Sequence, residues 1–203
     1  MNSITASTLS QHGVAYASQI AVAARDHGLD PNLLAAVAAQ ETGGPGASAG
    51  RNVVGDGGHG RGLFQIDDRY HAFARGAQAM DPAANAQYAA GMLSGLIARY
   101  GSVHRALSAY NAGDPDARGT VTQWGDGSRL GYADSVLRHE ALIAGGPVHD
   151  APAPGATPVQ PPAAAPPQPT IAALPIPPPA HRHTYRELIA GDRDAAQFTS
   201  DET

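Results

Sequence analysis

Glu41 stands at an unusual place for a charged side chain. At helical spacing it shares a face with Leu34, Val37 and Ala38, so an apolar stripe ends in a carboxylic acid. Gly43 and Gly44 follow at once, which puts Glu41 in the last turn of its helix, at the negative end of the dipole. Burial and the dipole both favour the protonated acid. A proton held near neutral pH is what a general acid needs. A surface glutamate on a frayed helix end is the plainer reading of the position alone.

Two more carboxylates lie in the segment G-D-G-G-H-G-R-G-L-F-Q-I-D-D-R-Y-H, Gly55 to His71. Asp56 falls in a glycine-rich turn, and Asp67 falls at the end of a short strand expected over Leu63-Phe64-Gln65-Ile66. Glycines let backbone approach a ligand closely, which suits the wall of a sugar groove. Carboxylates facing a protonated acid form the inverting glycosidase arrangement: one group protonates the leaving oxygen, and the other side activates water on the far face of the sugar. The plainer reading makes Asp56 a turn residue and Asp67 a cap.

Other chemistries fit the sequence less well. Asp56 and Asp67 are spaced like the ends of a calcium loop, but Gly58 and Gly60 stand where ligands should, and the last position is not Glu. Nine histidines include no His-Glu-x-x-His pattern, so no metal is expected, and His59 and His71 read as surface or groove-lining residues. No Gly-x-Ser-x-Gly elbow occurs. Trp124 and Tyr132 offer faces for stacking on sugars and serve equally well as core aromatics.

These residues need a scaffold, and residues 1–146 read as mostly helical. One helix is expected from about Val14 to His27. Asp30-Pro31 starts a second, which carries Glu41 and ends at Gly43-Gly44. Asp81-Pro82 repeats that signal and opens a third, with Ala86, Ala89, Leu93, Ile97 and Tyr100 on one face. Ser102 caps a fourth, to about Tyr110. A last helix spans about Gly131 to Ala144, with Ala133, Val136, Leu137 and Ala141 as its stripe.

Composition bounds the rest. The 203 residues include no cysteine, which excludes disulfides, zinc-thiolate sites and a Cys nucleophile. Every basic residue is Arg, and the formal net charge of -5 argues against a nucleic-acid partner. The best apolar stretch, Val14 to Ala24, is interrupted by Ser18 and Gln19, too short to span a bilayer. No basic residue precedes Arg25, so a standard signal peptide is not expected. Thirteen of the 17 prolines fall after Gly146. Residues 147–180 are therefore read as a Pro/Ala-rich linker, and 181–203 as a tail or docking peptide with a helix-capable piece at Thr184 to Ala190.

The ordered motifs E-T-G (Glu41 to Gly43), G-L-F-Q-I (Gly62 to Ile66) and A-Y-N-A-G (Ala109 to Gly113) resemble the goose-type lysozyme and soluble lytic transglycosylase families of the lysozyme-like superfamily. Gly55-Asp56-Gly57 and the run Asp67 to His71 look specifically goose-type. The resemblance covers roughly Leu29 to Ile143. It implies a mainly α (α+β) fold, a lysozyme-like helical domain with a small β-hairpin or irregular lobe. It implies Glu41 as general acid, Asp56 and Asp67 as the groups that direct water, and Gln65, Tyr110, Asn111, Tyr132 and His71 as sugar-binding residues. Thr42 departs from the usual Ser after the catalytic Glu, and the Ala/Gly-rich loop before Asp56 differs from the family pattern.

The implied partner is the glycan strand of peptidoglycan, cut between N-acetylmuramic acid and N-acetylglucosamine without a cofactor. Hydrolysis with inversion is the preferred expectation. Lytic transglycosylation and a non-catalytic wall-binding module on a phage or secretion apparatus are the alternatives. Without a signal peptide, delivery to the periplasm or cell wall falls to phage lysis machinery or a specialised secretion system. A secreted effector would call for an immunity protein as partner.

Overall fold

The computed structural model describes residues 6–145. The expected linker and tail, with Thr184 to Ala190, lie outside the described residues. Among the described residues six α-helices carry the fold: α1 (Ala6–Gln11), α2 (Ala17–Asp26), α3 (Pro31–Ala38), α4 (Pro82–Tyr100), α5 (Val103–Ala112) and α6 (Tyr132–Ile143). Between α3 and α4 lies an antiparallel sheet of β1 (Val53–Gly55), β2 (Gly60–Gly62) and β3 (Ile66–Asp67), in the order β1-β2-β3. Between α5 and α6 lies a two-stranded ladder, β4 (Thr122–Gln123) with β5 (Arg129–Leu130). The fold is mainly α, with small β elements. No described helix is long and apolar enough to cross a membrane.

The helix starts follow their caps. The Asp30 side chain accepts from the Asn32 amide at 2.8 Å, and Asp81 accepts from the Ala84 amide at 2.8 Å. Each cap satisfies an orphan donor ahead of a proline that needs none. α3 is buried on every side from Asn32 to Ala38, against α2 and α6. Its run of Leu, Ala and Val has no polar face to present to water, and the alanines let neighbouring helices approach closely. The core continues through Ile20, Phe64, Leu93, Leu107, Val136 and Ile143, all fully buried.

Several elements depart from expectation. The first expected helix begins only at Ala17, as α2, because Tyr16 takes left-handed backbone (φ 56°) that no α-helix can contain, and the short α1, not expected from the sequence, precedes it across a left-handed Gly13 (φ 81°). Leu63-Phe64-Gln65 form a turn rather than a strand, and β3 begins only at Ile66. Gly62 (φ 75°) and Gln65 (φ 48°) bracket that turn and break the extended chain. Leu63 and Phe64 spend their apolar surface on the helical core instead of on a pleat. A Cβ on Gly62 would fall 2.5 Å from the Ala79 carbonyl oxygen, so glycine is required there for space as well as for φ.

Candidate active site

α3 does not stop at Ala38. It widens into a π-helical turn, Ala39–Gly43, closed by the Gly44 amide donating to the Ala39 carbonyl at 3.1 Å. Such wide turns recur where a helix must aim a side chain off its regular path. Glu41 lies in this turn and is 9 % exposed. The Tyr132 hydroxyl, from the first residue of α6, donates to Glu41 Oε1 at 2.8 Å and orients the carboxyl group. Tyr110 of α5 stacks on Tyr132 at 6.4 Å between ring centres, so three helices meet at the acid.

Thr42 fixes the chain on either side. Its hydroxyl faces the carbonyls of Ala38 (3.2 Å) and Leu63 (3.3 Å), and it accepts from the Arg51 amide at 2.7 Å. Arg51 Nε donates to the Thr42 carbonyl at 3.0 Å. One hydroxyl thus ties the acid-bearing turn to the loop after it and to the turn beyond β2. A serine would offer the same hydroxyl, so the departure at Thr42 costs none of these bonds.

The sheet gathers the aspartates. Gly55 pairs with Gly60, and Gly60 pairs with Asp67, so one line across three strands brings Asp56 and Asp67 to the same end of the sheet. Arg69 reaches both. Its Nη2 donates to Asp56 Oδ2 and to Asp67 Oδ2, the latter at 2.6 Å, and its Nε lies 3.0 Å from Asp67 Oδ1. The Arg69 amide adds a bond to Asp67 Oδ1 at 2.8 Å. The bond to Asp67 outweighs partial burial and holds the guanidinium charged far above its ordinary range. Asp68 turns the other way, to His59 (2.8 Å) and Arg61 (3.0 Å). The His59 bond, ahead of that to Arg61, holds its carboxyl below the usual carboxylate range.

The expected sugar-binding residues are all buried and bonded. Gln65 spends its amide nitrogen on the carbonyls of Val53 (3.0 Å) and Gly62 (2.8 Å) and so braces the sheet. Tyr110 lies 3.4 Å from the Phe64 carbonyl through its hydroxyl. Asn111 accepts from the Thr120 amide at 2.9 Å and anchors the segment leading to β4. His71 Nδ1 lies 3.0 Å from the Tyr88 hydroxyl. Trp124 is a core residue: it is 5 % exposed, tilted against His139 and covered by Arg138.

Two groups therefore form. Glu41 joins Tyr132 and Tyr110 in the helical half, and Asp56 joins Asp67 in the sheet. Residues that sequence reasoning did not single out hold them: Arg69, Arg51, Gln40 and Ser135. The short spacing from Asp67 to Arg69 was a signal for the first. Gln40 and Ser135 are 95 positions apart and carry none. No group of three or more His, Asp or Glu able to hold a metal occurs among the described residues.

Residues 18–129, more than half of the chain, match the family described as Transglycosylase SLT domain. No curated protein and no solved structure gives a match.

Proposed function

This chain belongs to the transglycosylase SLT domain family, a family of peptidoglycan-cleaving enzymes, and from that premise we propose that it is a muramidase with Glu41 as its acid. The bond cut is the β-1,4 link from N-acetylmuramic acid to N-acetylglucosamine. The observation that carries the reading is the buried Glu41 carboxyl, held at Oε1 by Tyr132. Protonated Glu41 gives its proton to the leaving 4-oxygen as the C1–O bond breaks. In hydrolysis a water oxygen then bonds to C1, and Asp56 and Asp67 orient that water and take up its proton. Arg69 holds the two carboxylates together.

A second reading has support of its own. The bonds from Arg69 compete with any water for the aspartate oxygens, and the family carries the transglycosylase name. Here the muramic 6-hydroxyl attacks C1 and passes its proton to the Glu41 carboxylate, giving a 1,6-anhydro product without water. We favour hydrolysis, because both aspartates are present and gathered at one end of the sheet.

Masses of fragments released from purified peptidoglycan decide between the two, since the hydrolytic product is one water heavier. Asp56→Asn combined with Asp67→Asn abolishes release only in the hydrolytic mechanism. Wild type and Glu41→Gln that are equally inert yet still sediment with cell walls would sink the enzymatic reading in favour of a binding module.

A further inference from the structure

Gln40, the residue before the acid, sits in a buried chain of side-chain hydrogen bonds. Its amide nitrogen donates to Thr122 Oγ1 at 2.9 Å. Its amide oxygen accepts from the Ser135 hydroxyl at 2.6 Å. Ser135 Oγ in turn accepts from Trp124 Nε1 at 3.1 Å. All four side chains belong to buried residues, and Ser135 is fully enclosed.

The bond directions are consistent with one another. An indole N–H can only donate, so Ser135 accepts there, and its own hydrogen goes to the Gln40 amide oxygen. The Gln40 amide nitrogen then serves Thr122. A buried chain with every member matched holds a single geometry, because any alternative strands a polar group away from water.

The position of the chain gives it a task. Tyr132 and Ser135 stand one turn apart on the same face of α6. The first donates to Glu41 and the second to Gln40. Two adjacent residues of the π-helical turn are thus gripped from one neighbouring helix, which resists rotation of the turn about its axis. The far end of the chain, Thr122 and Trp124, belongs to β4 and the loop after it. Arg138 pins that loop back onto α6, through Ser128 (2.8 Å) and Asp126 (2.7 Å). Tyr132 and Ser135 lie beyond the segment that matches the family, residues 18–129.

We propose that Gln40 is a positioning residue: through Ser135 and Thr122 it sets the orientation of the Glu41 carboxyl and couples it to the β4–β5 hairpin. The inference rests on Glu41 being the acid. Gln40→Met keeps the length of the side chain and removes both bonds. It lowers kcat on soluble glycan strands about ten- to a hundredfold, the size expected when a catalytic group is displaced by a fraction of an ångström to one ångström. KM stays within about twofold of wild type, since Gln40 touches no substrate. Trp124, the one tryptophan in the chain, reports the break, because its acceptor Ser135 loses Gln40 in this variant and is itself removed in Ser135→Ala. Its emission and near-ultraviolet dichroism shift in Gln40→Met and in Ser135→Ala.

Ser135→Ala is the second variant, in case the first does not fold, and it lowers kcat with the same split. A variant that loses thermal stability but keeps wild-type kcat well below its melting temperature overturns the positioning role and leaves Glu41 untouched. An inert wild type overturns the Glu41 reading, and the positioning role with it.

Discussion

The two halves of the site hold their carboxyl groups by opposite means. In the helical half, Glu41 is buried in the turn that follows α3 and accepts from the Tyr132 hydroxyl of α6. In the sheet, Asp56 and Asp67 share the cation of Arg69. Burial disfavours charge on a carboxyl, whereas the two aspartates gather around one guanidinium. The division matches the proposed roles of acid on one side and charged water-directing groups on the other. It also shows what each half tolerates, since the alanine-lined helical core has no place for a net charge and the sheet lobe is organised around one.

The sharpest break is Glu41→Gln, which keeps the shape and removes the transferable proton. Release of reducing ends from peptidoglycan falls roughly 10²- to 10⁴-fold, the usual contribution of a general acid, while the melting temperature stays close to wild type. Arg69→Met attacks the other half. It strands the Asp67 carboxylate, which is 4 % exposed, beside Asp56. Urea titration at neutral pH should show a loss of about 2–3 kcal/mol, less than for a wholly buried pair because the Arg69 side chain is 37 % exposed. An unchanged midpoint would mean that the sheet does not depend on its cation.

His139 tests the claim that the helical half excludes charge. Burial pushes its imidazole down to about 4; the nearby Arg138 acts the same way, and the bond to the Ala47 carbonyl opposes both. The folded value lies below the ordinary 6.5, so the unfolded chain binds the proton first. The stability from this group is complete above pH 6.5 and is lost as pH falls through 4, an effect on the order of 3 kcal/mol. Denaturation midpoints at pH 7 and pH 4.5, compared between wild type and His139→Gln, check it: the variant should show the shallower decline. The mildest change is Tyr132→Phe, which removes one hydroxyl from Glu41. It reduces kcat about tenfold and stability by about 1 kcal/mol. A larger stability loss than activity loss would make Tyr132 a packing residue first.

The helical half was far more legible in the sequence than the sheet. Asp30-Pro31 and Asp81-Pro82 announced α3 and α4, because a cap and its proline act within three residues of one another. The stripe Leu34, Val37, Ala38 and Glu41 placed the acid in its last, buried turn. The block from Leu63 to Ile66 misled because its composition suits a strand, whereas its conformation is decided by Gly62 and by the core that Phe64 enters. The pairing of Asp56 with Arg69 follows from the register that sets Gly55, Gly60 and Asp67 in line, and spacing along the chain does not encode that register. The Gln40–Ser135 bond joins segments that meet only after α3 and α6 have packed.

The acid and its hydroxyl partner are 91 residues apart, and α6 is the last described helix to be made. A chain growing from its N-terminus therefore displays Glu41, Asp56 and Asp67 well before Tyr132 emerges. On the role proposed for Glu41, competence arrives with the docking of that final helix, and on the ribosome an incomplete copy has its proposed cutting group present but unaimed.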